Sequence, residues 1–315
     1  MKKTLYIVDT SNWANRAFYA LQHSPQKAKD GLEVAAVKQL MKMVAGLLEQ
    51  ARNEPGGAHI ALVFDPRSSE TWRYKAMQQW QALKSPKEIK LIFPKSANYK
   101  GNRDRSKTSD LPHQIDLSRE ILKAAGFCVL LKKPYECDDI IGTLSTRFSP
   151  RYIVKIFSSD KDFAQLLDNE NVSLIRQKQS NMPERITTQE NVSEVFGVPH
   201  SSIICKLALC GDGVDNVPGV PGIAETRSIQ LLKEYGTAKE LQRQAHKIKT
   251  TAVWKKALIG EHPMMDLDLQ LELVTIDRNV PKLPKSIDAF KVTVSDDKAL
   301  RKYKKYLRMS SLFHV

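Results

Sequence analysis

The stretch that decides the fold is IVKIFSSDKDFAQLL, residues 153–167. Five residues rich in β-branched and aromatic side chains read as a buried strand, Ile153–Phe157. Two serines then lead into a pair of aspartates, Asp160 and Asp162, before a helical pattern resumes over Lys161–Leu167. The same grammar recurs upstream. Asp9 ends the apolar run Leu5–Val8, and Asp65 ends Ile60–Phe64. Further strands are expected at Cys128–Leu131 and Val172–Ile175, with helical spacing at Trp13–Leu21, Val34–Ala51, Leu117–Ala125 and Asp138–Arg147. Alternation of this kind predicts an α/β fold, a parallel sheet covered on both faces by helices. All strands of such a sheet point one way, so Asp9, Asp65, Asp160 and Asp162 should gather at the strands' C-terminal edge, where open α/β sheets place their sites.

A fourth acidic cluster, Glu136-Cys137-Asp138-Asp139, opens the helical run Ile140–Arg147. Each acid taken singly has a plainer explanation as a helix cap or a favourable charge at a helix N-terminus. Together, seven carboxylates on one edge would repel one another unless cations neutralise them. A donor set of oxygens without His or Cys selects hard ions, Mg²⁺ or Mn²⁺, over zinc. Two such ions are a known device for phosphodiester cleavage. A further acidic stretch, CGDGVDNVPGVPGIAETRS (210–228), carries Asp212 and Asp215 and a Gly-rich turn with Gly219 and Gly222 between two helices. Such a turn can present backbone N–H groups to phosphate.

Charge points to the partner. The chain has 315 residues, 49 Lys+Arg against 35 Asp+Glu, and a formal net charge of +14. Residues 84–107 hold eight basic residues and two acids within a segment, Trp72 to Asp116, that shows no clear core pattern. This reads as a long excursion that grips phosphates. At 42% apolar the chain supports a real core, and no run approaches a membrane span. Cys128, Cys137, Cys205 and Cys210 form no metal-binding spacing and suit a reducing compartment. Beyond about residue 185 the strands stop. Helices are expected at Ile203–Leu209, Arg227–Glu234, Thr250–Leu258 and Leu267–Val274, and a basic terminal helix at Asp296–Leu307 follows prolines 281 and 284.

Six motifs in order, IVDTSN (7–12), VFD (63–65), YKGNR (99–103), ECDD (136–139), SSDKDFAQLL (158–167) and GDGVDNVPGVPGI (211–223), resemble the 5′-nuclease, or flap endonuclease, family. That family includes the N-terminal nuclease of bacterial DNA polymerase I and stand-alone phage enzymes. The resemblance implies a PIN-like parallel-sheet nuclease domain with a helical arch (residues 1–184, arch about 72–116), a small α-helical helix–hairpin–helix domain (185–280) and a basic C-terminal segment (281–315). It implies two Mg²⁺ or Mn²⁺ ions held by Asp9, Asp65, Glu136, Asp138, Asp139, Asp160, Asp162, Asp212 and Asp215. The hairpin turn is also a candidate K⁺ site. Lys100 and Arg103 match the basic pair that steers the scissile phosphate. Arg16, Tyr99 (as a stacking platform), Arg105, Lys107, Gly219, Gly222 and Arg227 are the remaining DNA-contact candidates.

The sequence departs from the family pattern at three places. ECDD stands where the family has EADD, the hairpin lacks the final glycine and lysine, and about twenty extra residues separate Tyr74 from Tyr99. The implied activity is metal-dependent 5′→3′ exonuclease and flap endonuclease action on DNA with 5′ flaps, nicks or free 5′ ends, RNA–DNA hybrid included. The enzyme is expected as a monomer in the cytoplasm of a bacterium or phage-infected host, beside a separate polymerase or single-strand-binding protein. A non-catalytic binder of branched DNA is the alternative, and a ligand set filled at every position argues for catalysis.

Overall fold

The computed structural model describes residues 2–101, 110–178, 182–293 and 298–313. Its centre is a six-stranded sheet. Strand β1 (Thr4–Asp9) runs into α1 (Thr10–Leu21) and then α2 (Ala35–Arg52) before β2 (Ile60–Val63). Two helices, α3 (Trp72–Ala82) and α4 (Pro86–Ile92), precede α5 (Leu111–Ala124) and β3 (Cys128–Leu130). Helix α6 (Cys137–Phe148), β4 (Ile153–Phe157), a 3₁₀ segment at Lys161–Leu166, β5 (Val172–Arg176) and β6 (Arg185–Thr187) complete the sheet domain.

Strand order is β3-β2-β1-β4-β5-β6, with every pairing parallel except β5–β6. All residues of β1 and β2 are buried, which explains why both read as unbroken apolar runs. The crossover direction reverses between β1 and β4, the switch point at which doubly wound sheets open a crevice. Register then fixes the acids. Asp9 pairs with Val63 and Val8 with Phe157, so Asp9, Asp65 and Asp160 all emerge beside this switch point.

Side chains alternate across the sheet into two cores. Leu5, Ile7, Ala61 and Ile156 face α6 and the later helices, while Tyr6, Val8, Ile60 and Leu62 face α2 and α5. Helix α2 presents Val37, Leu40, Met41, Val44, Leu47 and Leu48 as one apolar stripe.

Three expectations need correction. The segment from Trp72, which showed no clear core pattern, does contribute to the core: its described residues fold as α3, α4 and the start of α5, with Met77, Phe93 and Tyr99 buried. Helix α4 begins with Pro86 behind a Ser85–Glu88 capping box, and Trp80 meets Phe93 edge-on at 6.4 Å between ring centroids. Strand β6 also falls where strands were expected to have stopped. The Lys161–Leu167 pattern is 3₁₀ rather than α, since Asp160 caps so short a turn.

The remaining chain is helical. Helices α7 (Val192–Phe196) and α8 (Ile203–Cys210) lead to a two-residue ladder, β7 (Gly211–Asp212) with β8 (Val217–Pro218). Then follow α9 (Glu225–Tyr235), α10 (Ala238–Gln244), α11 (Val253–Leu258) and α12 (Leu267–Val274), all packed into the core on the α6 face. The chain crosses beneath the sheet, where Val292 N–H donates to Ala58 O at 3.0 Å. It ends in α13 (Lys298–Leu307) on the opposite, α2–α5 face.

Candidate active site

The site grows from four strand and helix ends. Asp9 caps α1, accepting from Asn12 N–H at 2.9 Å, and its other oxygen accepts from Ser158 Oγ at 2.8 Å. Asp65 accepts from the Cys137 N–H at 2.8 Å, which draws the N-terminus of α6 to the end of β2. Helix α6 thereby delivers Asp138 beside Asp9. Ligand atoms of Asp9, Cys137 and Asp138 all lie within 4.8 Å of one another. Asp160 caps the following turn through the Asp162 N–H at 3.0 Å. The capping roles exist as the simpler reading required, and the same carboxylates still converge.

Electrostatics separates the acids into two groups. Asp9, Asp138, Asp160 and Asp162 share no ion pair with a basic side chain among the described residues. Burial pushes the Asp9 carboxyl up to about 7, and the neighbouring Asp65 adds to the shift. Asp138 is raised well above the carboxylate range by burial and by Asp160, Asp65 and Asp9. Asp162 is raised in the same way by burial, Asp160 and Asp212, and Asp160 itself is raised chiefly by burial. Asp162 Oδ1 is buried with no hydrogen-bond partner. Oxygens crowded and desolvated to this degree are the donor set of a hard divalent cation, and these residues fit one.

The second group is neutralised from within. Lys100 Nζ stands 2.9 Å from Glu136 Oε1 and 3.5 Å from Asp215 Oδ2. Burial works against its charge, but Tyr99, Glu136 and Asp215 outweigh it and hold the ammonium well above its ordinary value. Lys100 takes a left-handed backbone, φ 56°, unusual for a side-chain-bearing residue. Its N–H donates to Asp215 O at 2.8 Å, and Asn216 Nδ2 donates to Ser96 and Asn98 carbonyls at 2.7 and 2.8 Å. The 212–217 loop of the helical region therefore holds the arch base at Lys100. A cleft of about 330 Å³ opens there, lined by Ser68, Tyr74, Ser96, Asn98, Tyr99 and Lys100.

Two expected roles change. Asp139 stands apart from the ligand group. Its oxygens take bonds from Arg73 Nη1 and Nη2 at 2.9 and 2.8 Å, from Trp72 Nε1 at 3.0 Å, and from the Glu136 and Asp277 N–H groups at 3.1 and 2.9 Å. Five donors leave no lone pair facing the cleft, so Asp139 is an anchor rather than a ligand. Tyr99 is no stacking platform either. It is 3% exposed, and its hydroxyl lies 3.1 Å from Glu136 and 3.0 Å from Asp215, which uses the phenol to steady those carboxylates.

The other candidates are placed as follows. Asp212 is buried, accepts from the Val214 and Asp215 N–H groups at 2.7 and 3.2 Å, and has Lys161 Nζ at 3.8 Å. Arg16 lies two turns along α1 from Asp9, with Nη1 buried and without a hydrogen-bond partner. Arg103, Arg105 and Lys107 lie outside the described residues. Arg227 is exposed in the first turn of α9. Packing accounts for both hairpin glycines. A Cβ at Gly219 would stand 2.4 Å from the Cys210 carbonyl carbon, and one at Gly222 (φ +82°) 2.5 Å from Val253 Cγ1.

Sequence reasoning missed Arg73. Its guanidinium is 3% exposed, pairs with Asp139 and Glu136, and donates to the carbonyls of Leu273 and Thr275 at 2.8 and 2.7 Å. One side chain thus joins the arch base, the acidic helix α6 and the end of α12. It also missed Cys137, whose thiol donates to Asp9 Oδ1 at 3.6 Å; only its place inside ECDD hinted at this.

This architecture, a parallel-sheet nuclease fold with acids at its switch point and a helical domain closing over them, is that of a nuclease acting on DNA. The family model for the 5′-3′ exonuclease N-terminal resolvase-like domain matches residues 4–197, and that for the 5′-3′ exonuclease C-terminal SAM fold matches residues 198–298. The chain belongs to the 5′-3′ exonuclease family. It is 31% identical over 315 residues to a 5′-3′ exonuclease of Aquifex aeolicus, covering 98% of this chain and 94% of that one. It is 32% identical over 283 residues to DNA polymerase I of Bacillus caldotenax, covering 89% of this chain and 29% of that protein. Among solved structures, the T5 D15 protein co-crystallized with metal ions matches with a TM-score of 0.63 at 19% identity, over 97% of this chain and 98% of that one. The catalytic core of Rad2 in complex with DNA substrate matches with a TM-score of 0.57 at 15% identity, over 96% and 86%.

Proposed function

We propose that the protein is a divalent-metal-dependent 5′→3′ exonuclease and structure-specific flap endonuclease that hydrolyses DNA phosphodiesters near single-strand/duplex junctions, during replication or repair. The observation that carries this reading is the set of crowded, mutually repelling carboxylates Asp9, which is buried, and Asp138, Asp160 and Asp162, which are partly buried. Among the described residues none of them makes an ion pair, and Lys100 stands at their border. A fold held together at a repulsive, desolvated edge makes physical sense when bound cations complete it.

Asp9, Asp65, Asp138, Asp160, Asp162 and Asp212 would hold two Mg²⁺ or Mn²⁺ ions, which when bound supply Lewis-acid charge at the scissile phosphate. Lys100, whose ammonium is held by Glu136 and Asp215 at the border of these acids, would stabilise charge developing on the phosphate oxygens. Asp139 and Arg73 hold α6 in place so that Asp138 and Glu136 keep their aim. Arg16, with an unpartnered guanidinium nitrogen, is suited to a substrate phosphate. The T5 D15 protein co-crystallized with metal ions and the Rad2 catalytic core in complex with DNA substrate share this fold, which supports the reading.

The test uses end-labelled flap, nicked and single-stranded DNAs, with Mg²⁺ or EDTA, for the wild type and Asp138→Asn. Mg²⁺-dependent cleavage at the junction, weakened at least about 100-fold by the substitution, is expected. Junction binding without any Mg²⁺-dependent cleavage would overturn it in favour of a non-catalytic binder.

A further inference from the structure

We propose that the C-terminal helix α13 is a second nucleic-acid surface, one that holds the phosphates of the duplex arm not gripped by the helical region at 198–298. This inference rests on the branched-DNA reading above. Residues 298–308 contain Lys298, Arg301, Lys302, Lys304, Lys305 and Arg308, all exposed, and no acid. At 100° per residue the five of these that lie in the helix, Lys298, Arg301, Lys302, Lys304 and Lys305, fall within an arc of about 160°, and Arg308 follows in the turn after it. The opposite arc carries Leu300 and Leu307, both buried, with Tyr303 and Tyr306 half-buried beside them.

The helix is locked in place. Tyr306 hydroxyl donates to Asp30 at 2.9 Å, Lys29 N–H donates to Tyr306 O at 3.3 Å, and Tyr303 hydroxyl lies 3.4 Å from Glu120 of α5. Beyond it Phe313 packs against Phe127 at 5.3 Å between ring centroids. The charges are therefore preorganised on a rigid element, which lowers the entropic cost of using them.

Placement selects the partner. Helix α13 covers the α2–α5 face of the sheet, whereas the helical region packs on the α6 face. The two surfaces lie on opposite faces of the sheet, so phosphates held by one are not those held by the other, and a branched substrate can offer each surface its own arm. From Lys298 to Leu307 the helix spans about 14 Å, the axial length of about four phosphates on one strand. Its exposed arc has no aromatic or apolar residue. It therefore suits a repeating row of phosphates and offers neither base stacking nor a pocket for peptide side chains.

The experiment compares the wild type with the quadruple variant Lys302→Gln, Lys304→Gln, Lys305→Gln, Arg308→Gln. Binding is measured by fluorescence anisotropy in EDTA at several KCl concentrations. One DNA carries duplex on both sides of the junction; the other carries a single duplex with a 5′ overhang. On the two-arm DNA the slope of log affinity against log salt should become shallower by about 2–4 in the variant. On the one-arm DNA it should stay unchanged. Unchanged slopes on both DNAs, or equal losses on both, would overturn the proposal. Failure of the wild type to bind either DNA would instead refute the branched-DNA reading from which it starts.

Discussion

Replacing Arg73 with methionine removes a charge from one of the driest parts of the molecule. The guanidinium makes two bonds to Asp139 and one to Glu136, caps two carbonyls of residues 273 and 275, and lies 4.4 Å over the Trp72 ring. Methionine fills much of the volume, so little cavity forms. What remains is Asp139, 0% exposed, without its cation, and Glu136, 2% exposed, with Lys100 alone. Removing one partner of a buried pair costs about 3–5 kcal/mol, a large part of the roughly 5–15 kcal/mol that holds a domain together. Urea unfolding followed by circular dichroism should therefore show a midpoint lowered by more than 1 M, taking a slope of about 1–3 kcal/mol/M. Adding Asp139→Asn to Arg73→Met removes part of the stranded charge, so the double variant should be more stable than the two losses summed, by about 1–3 kcal/mol. A loss below about 1 kcal/mol for Arg73→Met, or simple additivity, would refute the claim that this pair anchors α6 to the arch and the helical region.

Lys100→Ala should lower the single-turnover cleavage rate by about 100- to 1,000-fold while DNA affinity changes less than about tenfold, measured on one flap substrate; equal losses would mean that Lys100 only grips phosphate. Stability of the protein in EDTA should depend on pH with a definite sign. The raised carboxyls hold protons in the fold that the unfolded chain releases above about pH 4, so their stabilising contribution is complete below that pH. It is lost as pH rises through the Asp9 value of about 7. Mg²⁺ favours the ionised forms, so its effect on Tm should grow from pH 5 to pH 8, and a Mg²⁺ effect that is flat or larger at pH 5 would contradict the electrostatic argument.

The sheet was legible because its central strands β1 and β2 are buried on both faces and so read as apolar runs, and because the runs of β1, β2 and β4 lead into acids. The period-3.6 stripes of α2 and α6 were equally plain. Helices α3 and α4 were not, because few of their residues are buried and their basic residues mask the isolated anchors Met77 and Phe93. Convergence of Asp9, Asp65, Asp138 and Asp160 followed from topology alone. The reassignment of Asp139 and Tyr99 did not. Asp139 depends on Arg73, and Arg73 on carbonyls some 200 residues away that no local pattern announces. The spacing of ECDD could not say which of its acids turns inward, since both patterns serve a helix N-terminus.

The central claim is that the acids at the sheet's switch point hold divalent ions needed for cleavage. It is tested most directly by counting Mn²⁺ bound by electron paramagnetic resonance in the wild type and in Asp138→Asn, with flap cleavage measured on the same samples. The account predicts saturable binding of about two ions by the wild type, weakened in the variant in step with cleavage. Cleavage that persists in excess EDTA, or a variant that cuts normally while its Mn²⁺ binding is lost, would contradict it.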